Sequence, residues 1–172
     1  RNMTLHRKTP LKRTPFKKTA PWEAKAKAQE KKKAKAGLSK PKLRDKLDAV
    51  FSKYIRLKYS DAKGYCRCIS CGKILPWKEI QNGHYMSRRY MSTRFCEDNC
   101  RPQCVACNIF NQGNIQMYRR GLIKQIGEQR VNLVELRART ENRNWSIFEY
   151  NQLISYYQKE VERLAKEKRI SL

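Results

Sequence analysis

The sequence predicts a small α+β domain, stapled by cysteines and flanked by helices, behind a basic N-terminal arm. Three observations lead there. Of 172 residues, 40 are Lys or Arg and 15 Asp or Glu, and they are unevenly spread: residues 1–40 hold 14 cations and two acids, the remainder 26 and 13. Two C-x2-C pairs bracket short β-type pieces broken by Gly and Pro, and apolar residues recur at helical spacing on either side.

Residues 1–20 repeat a Lys/Arg-Thr-Pro pattern with almost no aliphatic content. Such a composition cannot offset the entropy of ordering, and disorder is expected. Residues 21–36 place Pro21 near a helix start and Gly37 past its end, with Ala and Lys between. That helix has no apolar face and would form against a phosphate backbone. Residues 1–40 are therefore read as a largely disordered DNA-binding arm, and 41–172 as the folded domain.

Pro41 suits a first helical turn, and Leu43, Leu47, Val50, Phe51, Tyr54, Ile55 and Leu57 carry a helix to about Tyr59. The run from Gly64 to Tyr85 reads as a hairpin. Residues 114–126 read as a helix ending at Gly127, and Glu128–Arg137 as a second, shorter one. Ser146 and Glu149 form a capping box, with Trp145 placed to staple onto Tyr150. Behind it Ile147, Tyr150, Leu153, Ile154, Tyr157, Val161 and Leu164 predict a buried stripe; this helix is scaffold.

A net charge of +25 and a pI near 10.1 make a polyanion the expected partner. Nucleic acid comes first, because each neutralised phosphate releases a counterion; an anionic membrane surface comes second. No run approaches the roughly 18 apolar residues of a spanning helix, and the first 20 residues lack the apolar stretch of a secretory signal. An intracellular chain without a membrane partner is expected, and its seven cysteines are metal ligands or buried thiols before they are disulfides.

Cys68-Ile-Ser-Cys71 and Cys104-Val-Ala-Cys107 lie 32 residues apart. Each pair can present two thiolates from one tight turn, and four thiolates satisfy tetrahedral Zn²⁺. Buried thiols or a redox C-x-x-C are the competing readings. A site closed by four protein ligands holds the fold and leaves no open position for chemistry. Cys66, Cys96 and Cys100 are left as bystanders, with Cys66 able to compete by slipping the pair.

Between the pairs stands His84, in Asn82-Gly83-His84-Tyr85; Asn99 follows, and Asn108 abuts Cys107. This order matches the layout of an HNH nuclease with a ββα-metal site. The residue types suit phosphodiester cleavage. A neutral imidazole can take a proton from water near neutral pH. An Asn side chain or a carbonyl on the other ring nitrogen would aim it, a role suited to Asn99. The amide oxygen of Asn108 suits a hard divalent cation. A structural histidine beside a zinc cluster is the bland alternative.

The chain resembles the Rap (NinG) recombination endonucleases of lambdoid bacteriophages. The resemblance is carried in order by Cys68-Ile-Ser-Cys71-Gly72, Gly83-His84-Tyr85, Arg94-Phe95, Asn99, Gln103-Cys104-Val105-Ala106-Cys107-Asn108, Gly113-Asn114, Tyr118-Arg119, Leu122-Ile123, Ile126-Gly127 and Arg143-Asn144-Trp145-Ser146, over about residues 46–165. It implies a structure-specific DNA endonuclease acting on branched recombination intermediates such as Holliday junctions and D-loops, with Mg²⁺ or Mn²⁺. The wider HNH pattern often has a metal-binding Asp before the base, where this chain has Gly83. Asn114, Asp98 and Glu97 are candidates for the second oxygen ligand, with Asn114 preferred; each could instead be a cap or turn residue.

Arg88, Arg89 and Arg94, with Arg119, Arg120 and Lys124 on the helix after the second pair, would bracket the scissile phosphate. A solvated basic face is the alternative. Tyr85 and Tyr90 could stack on unpaired bases, although core packing is the simpler reading. Paired nicks on a four-way junction imply a homodimer, or two monomers, in the host cytoplasm at the nucleoid, with recombination proteins as partners. The rival function is a non-catalytic zinc module that binds nucleic acid in recombination or replication, and an RNA-associated basic protein is a weaker third.

Overall fold

The computed structural model describes Lys25 and residues 37–172. The expected disorder of residues 1–20 and the expected helix over 21–36 lie outside the described residues, apart from Lys25, which is helical and exposed. Residues 38–172 form one unit. Among the described residues no helix is long and apolar enough to cross a membrane.

Helix α1, Lys40–Lys58, has Pro41 in its first turn and buries Leu43, Leu47, Phe51, Tyr54, Ile55 and Leu57. Its apolar stripe meets that of α4, Ile147–Lys168, which buries Tyr150, Ile154, Tyr157, Val161 and Leu164. The two helices run side by side in the same direction. Lys40 at the start of α1 donates to Asn144 Oδ1 at 3.3 Å, and Lys168 at the end of α4 donates to the carbonyls of Leu57 and Ser60, both at 2.6 Å. An ammonium there places a cation at the C-terminal end of α1, where the helix dipole favours positive charge. Phe51 packs edge-on against Tyr157 with centroids 4.9 Å apart, an arrangement that adds about 0.5–1.5 kcal/mol beyond burial alone.

The α4 start is as expected. Ser146 Oγ accepts from the Glu149 N–H, the Glu149 carboxylate accepts from the Ser146 N–H, and the Trp145 and Tyr150 rings lie 6.3 Å apart. Ile147, by contrast, is exposed, because as the first helical residue it precedes the turn that reaches the core.

Two antiparallel strand pairs follow α1 along the chain. β1, Tyr65–Arg67, pairs with β2, Ile74–Pro76. β3, Gln81–His84, pairs with β4, Cys100–Gln103, so that Gly83 faces Arg101 and His84 faces Cys100. The first pair is the expected hairpin. The second was not legible, since β4 is buried along its whole length, shows no alternation and contains Pro102. A 3₁₀ turn, Glu97–Asn99, leads into β4, and a π-helical turn, Ala106–Phe110, leaves it. Helices α2, Ile115–Ile126, and α3, Glu128–Thr140, follow, and Tyr118, Leu122, Val131 and Val134 close a second core cluster over Tyr85.

Gly83 explains why no side chain stands before His84. A Cβ there would lie 2.5 Å from Gln103 Oε1 and 3.1 Å from Tyr118 Cε2. The Tyr118 hydroxyl also donates to the Gly83 carbonyl at 2.9 Å, so strand and α2 are in direct contact. Overpacking such a contact costs about 1–3 kcal/mol. Gly83→Ala is predicted to lose stability of that order in a urea titration while leaving the denaturant slope unchanged.

Candidate metal centre and histidine cleft

The four cysteines of the two C-x2-C pairs converge. The Sγ atoms of Cys68, Cys71, Cys104 and Cys107 all lie within 4.8 Å of one another, with Cys71 and Cys104 at 3.7 Å. Bonds of about 2.3 Å to one tetrahedral zinc give sulfur–sulfur edges of about 3.8 Å. The cluster can hold a zinc ion. Its first turn closes with the Gly72 N–H donating to the Cys68 carbonyl at 2.9 Å and Gly72 at φ +79°, a left-handed conformation suited to glycine. In the second, the Asn108 N–H donates to the Cys104 carbonyl at 2.9 Å.

The donor set fits a metal chemically. Without a cation, burial pushes the Cys107 thiol up to about 12, and nearby thiols add to the shift. Burial also acts upward on Cys68, but N–H donors from Cys104, Cys71 and Ser70 outweigh it and bring that thiol down to about 7. Four thiolates therefore need a cation among them. Cys66 does not compete: it is buried away from the cluster, donates to the Arg56 carbonyl at 3.1 Å, and is pushed up to about 11 by burial. Asn114 stands here too, its Nδ2 3.6 Å from Cys107 Sγ. It supports a thiolate, which corrects its reading as an oxygen ligand beside His84.

His84 and Asn108 meet in a cleft of about 680 Å³. His84 ends β3, and its Nε2 lies 3.1 Å from the Arg94 carbonyl. A carbonyl can only accept, so Nε2 carries the proton and Nδ1 holds the lone pair. Among the described residues Nδ1 has no hydrogen-bond partner. Burial, with the nearby Arg88 guanidinium, lowers the imidazole to about 4, so it is neutral at pH 7. Asn108, in the π-helical turn, donates to Gln81 Oε1 at 2.7 Å, which leaves its own oxygen free.

Asn99 plays a different part from the one expected. It is fully buried; its oxygen accepts from the Met86 N–H at 2.6 Å, and its Nδ2 donates to the Met86 and Thr93 carbonyls at 2.9 and 3.0 Å. It ties down the loop over residues 86–93, and the ring of His84 is held by Arg94 instead.

Arg94 likewise is no free phosphate ligand. Its Nε donates to Asp48 Oδ1 at 2.9 Å, its Nη2 pairs with Asp48 Oδ2, and its Nη1 donates to the Arg88 carbonyl at 2.9 Å. Arg119 is engaged by Glu135 at 2.9 Å and by Asn132. Arg88, Arg89, Arg120 and Lys124 are exposed, and Arg88 lines the cleft. Arg56, Lys78 and Glu79 line it as well. Sequence reasoning missed these three because they stand in segments whose pattern reads as scaffold helix and hairpin. Glu97 and Asp98 lie elsewhere: Glu97 accepts from the Tyr54 hydroxyl at 3.0 Å, and Asp98 holds Arg130 at 2.6 Å. Tyr85 is core, stacked 5.9 Å from Tyr118 and donating to Glu135 at 2.7 Å.

Fold and site together define a small α+β protein with a four-cysteine cluster able to hold a metal ion and a histidine cleft. The chain belongs to the NinG family: the family model described as "Bacteriophage Lambda NinG protein" matches residues 1–167. It is 34% identical over 98 residues to "Protein ninG" of Escherichia phage lambda, covering 56% of this chain and 47% of that one. "Protein ninG" of Salmonella phage P22 is 33% identical over 98 residues, with the same coverage. The chain thus spans about half the length of the curated relatives it matches. No solved structure matches it.

Zinc analysis of purified protein is predicted to find one ion per chain. Cys104→Ala is predicted to lose that ion and the cooperative thermal transition with it, as expected when metal binding and folding are coupled.

Proposed function

We propose that this chain is an HNH-type endodeoxyribonuclease of the ββα-metal kind, which cuts branched recombination intermediates such as Holliday junctions and D-loops. The observation that carries the reading is the contact of His84 Nε2 with the Arg94 carbonyl at 3.1 Å, at the edge of the cleft that Asn108 also lines. With Nε2 donating to the Arg94 carbonyl, a neutral Nδ1 is left as base in the cleft that holds Asn108. Nδ1 accepts a proton from water as the water oxygen attacks phosphorus. The phosphorus–oxygen bond to the leaving sugar opens, and that oxygen takes a proton from solvent.

Bound Mg²⁺ or Mn²⁺ would offset the charge on the scissile phosphate and the leaving oxygen. The Asn108 amide oxygen and the Glu79 carboxylate, with the unpartnered Asn82 Oδ1, would be the oxygens offered to a hard cation in the cleft. Arg88, with Arg56 and Lys78, supplies positive charge for the phosphate backbone. The preference for branched DNA rests on the resemblance to the Rap endonucleases. Two copies acting on one junction, and recombination proteins as partners in the host cell, belong to the same proposal.

Nicking of an end-labelled four-way junction tests it. The wild-type protein should nick with Mg²⁺ or Mn²⁺ and stop with EDTA, and His84→Ala should bind the junction, keep its zinc and lose at least about a hundredfold in rate. A protein that binds but never nicks would instead be a non-catalytic zinc module. Because the free imidazole is lowered to about 4, kcat/KM should hold level from pH 8 to about pH 5 and fall below that. An acid limb centred near the ordinary histidine value of ~6.5 would contradict the burial of this base.

Asp48 acts on the base at one remove, by clamping the arginine whose carbonyl aims it. Asp48→Asn is predicted to lower kcat about ten- to hundredfold with KM little changed, read by single-turnover kinetics on a protein of wild-type zinc content.

A further inference from the structure

Phe110 is 78% exposed, and its neighbour Ile109 is 55% exposed. Ile109 and Ile115 line the His84 cleft, and Phe110 stands two positions beyond Asn108 in the same π-helical turn. The ring is presented on a braced backbone. The Asn111 N–H donates to the Ala106 carbonyl at 2.8 Å, closing the wide turn. Gln112, Gly113 and Asn114 then follow in succession at φ +49°, +88° and +43°, a left-handed run that costs side-chain-bearing residues energy. Two contacts impose it: Gln103 Nε2 donates to the Gly113 carbonyl at 2.6 Å, and Asn114 reaches Cys107 Sγ. The cysteine cluster and a buried glutamine thus fix the backbone that follows Phe110, whose ring stands in solvent next to the cleft-lining Ile109.

We propose that Phe110 is a base-stacking platform that takes an unstacked DNA base next to the phosphate held at His84, and so selects branched over continuous duplex DNA. This rests on the nuclease reading above. Charge identifies the occupant. The cleft that the neighbouring Ile109 lines is polar and carries Arg56, Lys78 and Arg88 against one carboxylate, Glu79, which suits a polyanion. A nucleic acid is a polyanion that also offers flat aromatic faces. Within a continuous duplex those faces are already stacked; at a branch point they are free or cheaply freed. Aromatic stacking is sequence-tolerant, so the ring reads the shape of the DNA without reading its bases.

The test uses the full zinc-loaded chain and a four-way junction carrying 2-aminopurine at the branch, with the matching linear duplex as control. Binding is measured without divalent cation, and nicking with Mg²⁺. Wild-type protein should change the 2-aminopurine fluorescence. Phe110→Ala should abolish that change and lower the junction-to-duplex ratio, in affinity and in nicking, by about tenfold. Phe110→Trp should keep both, whereas Phe110→Leu, apolar but not planar, should behave as Phe110→Ala. A wild-type ratio in Phe110→Ala, or full retention in Phe110→Leu, overturns the inference. So does a shift of sedimentation from dimer to monomer in Phe110→Ala with fluorescence unchanged, which makes the ring a contact between copies. The two readings fail separately: a wild-type protein that stacks but never cuts removes the nuclease and leaves the platform, and one that cuts with a Phe110-independent ratio does the reverse.

Discussion

Four sulfur atoms crowded within 4.8 Å of one another cannot all be thiolates unless a cation sits among them, and most of the central architecture is tied to that crowding. One cysteine pair lies on the turn after β1 and the other at the end of β4, so drawing them together docks the hairpin onto the β3–β4 pair. The junction is reinforced by the Ile69 N–H donating to the Pro102 carbonyl at 3.0 Å and by Gln103 bridging Ser70 and Gly113. Helix α2 comes in over the same turn, close enough that a Cβ on Gly121 would lie 2.5 Å from the Ile69 carbonyl. With strands this short, few backbone hydrogen bonds hold the register, and the cysteine centre substitutes for a larger sheet.

The histidine cleft is assembled from elements that the centre and the α1–α4 pair hold in place. His84 comes from β3 and Asn108 from the turn leaving the cysteine cluster. The carbonyl that aims His84 comes from a loop gripped on one side by Asn99 and on the other by Asp48 of α1. The imidazole of His84 is therefore positioned by backbone and by neighbours of neighbours. The arrangement keeps the ring neutral: a carboxylate directly on it would raise its proton affinity, whereas with a carbonyl partner the effect of burial prevails.

Charge divides into cations that build the domain and cations that face outward. Arg94, Arg119 and Arg130 are engaged by carboxylates. Arg101 is buried, with its guanidinium 4.5 Å from the Tyr59 ring. Arg88, Arg89, Arg120 and Lys124 remain exposed. A sequence run of arginines does not say which are which, because the acids that claim them are distant in the chain: Asp48 is 46 residues from Arg94.

Local chemistry alone settled several features. The two C-x2-C pairs, the helix with Pro41 in its first turn, the Ser146–Glu149 capping box and the helices on either side of Gly127 were legible because each is determined by residues within about one turn of one another. The NinG resemblance and the prominence of His84 and Asn108 also came from residue order. Tertiary structure decided the rest. It made β4 a strand by burying it on every side, moved Asn114 to the sulfur cluster and Asn99 to the loop, and turned Arg94 from an expected phosphate ligand into the brace of the His84 ring. The deciding partner lies outside the local pattern in each case, from Cys107 seven residues before Asn114 to Asp48, on α1, 46 residues before Arg94.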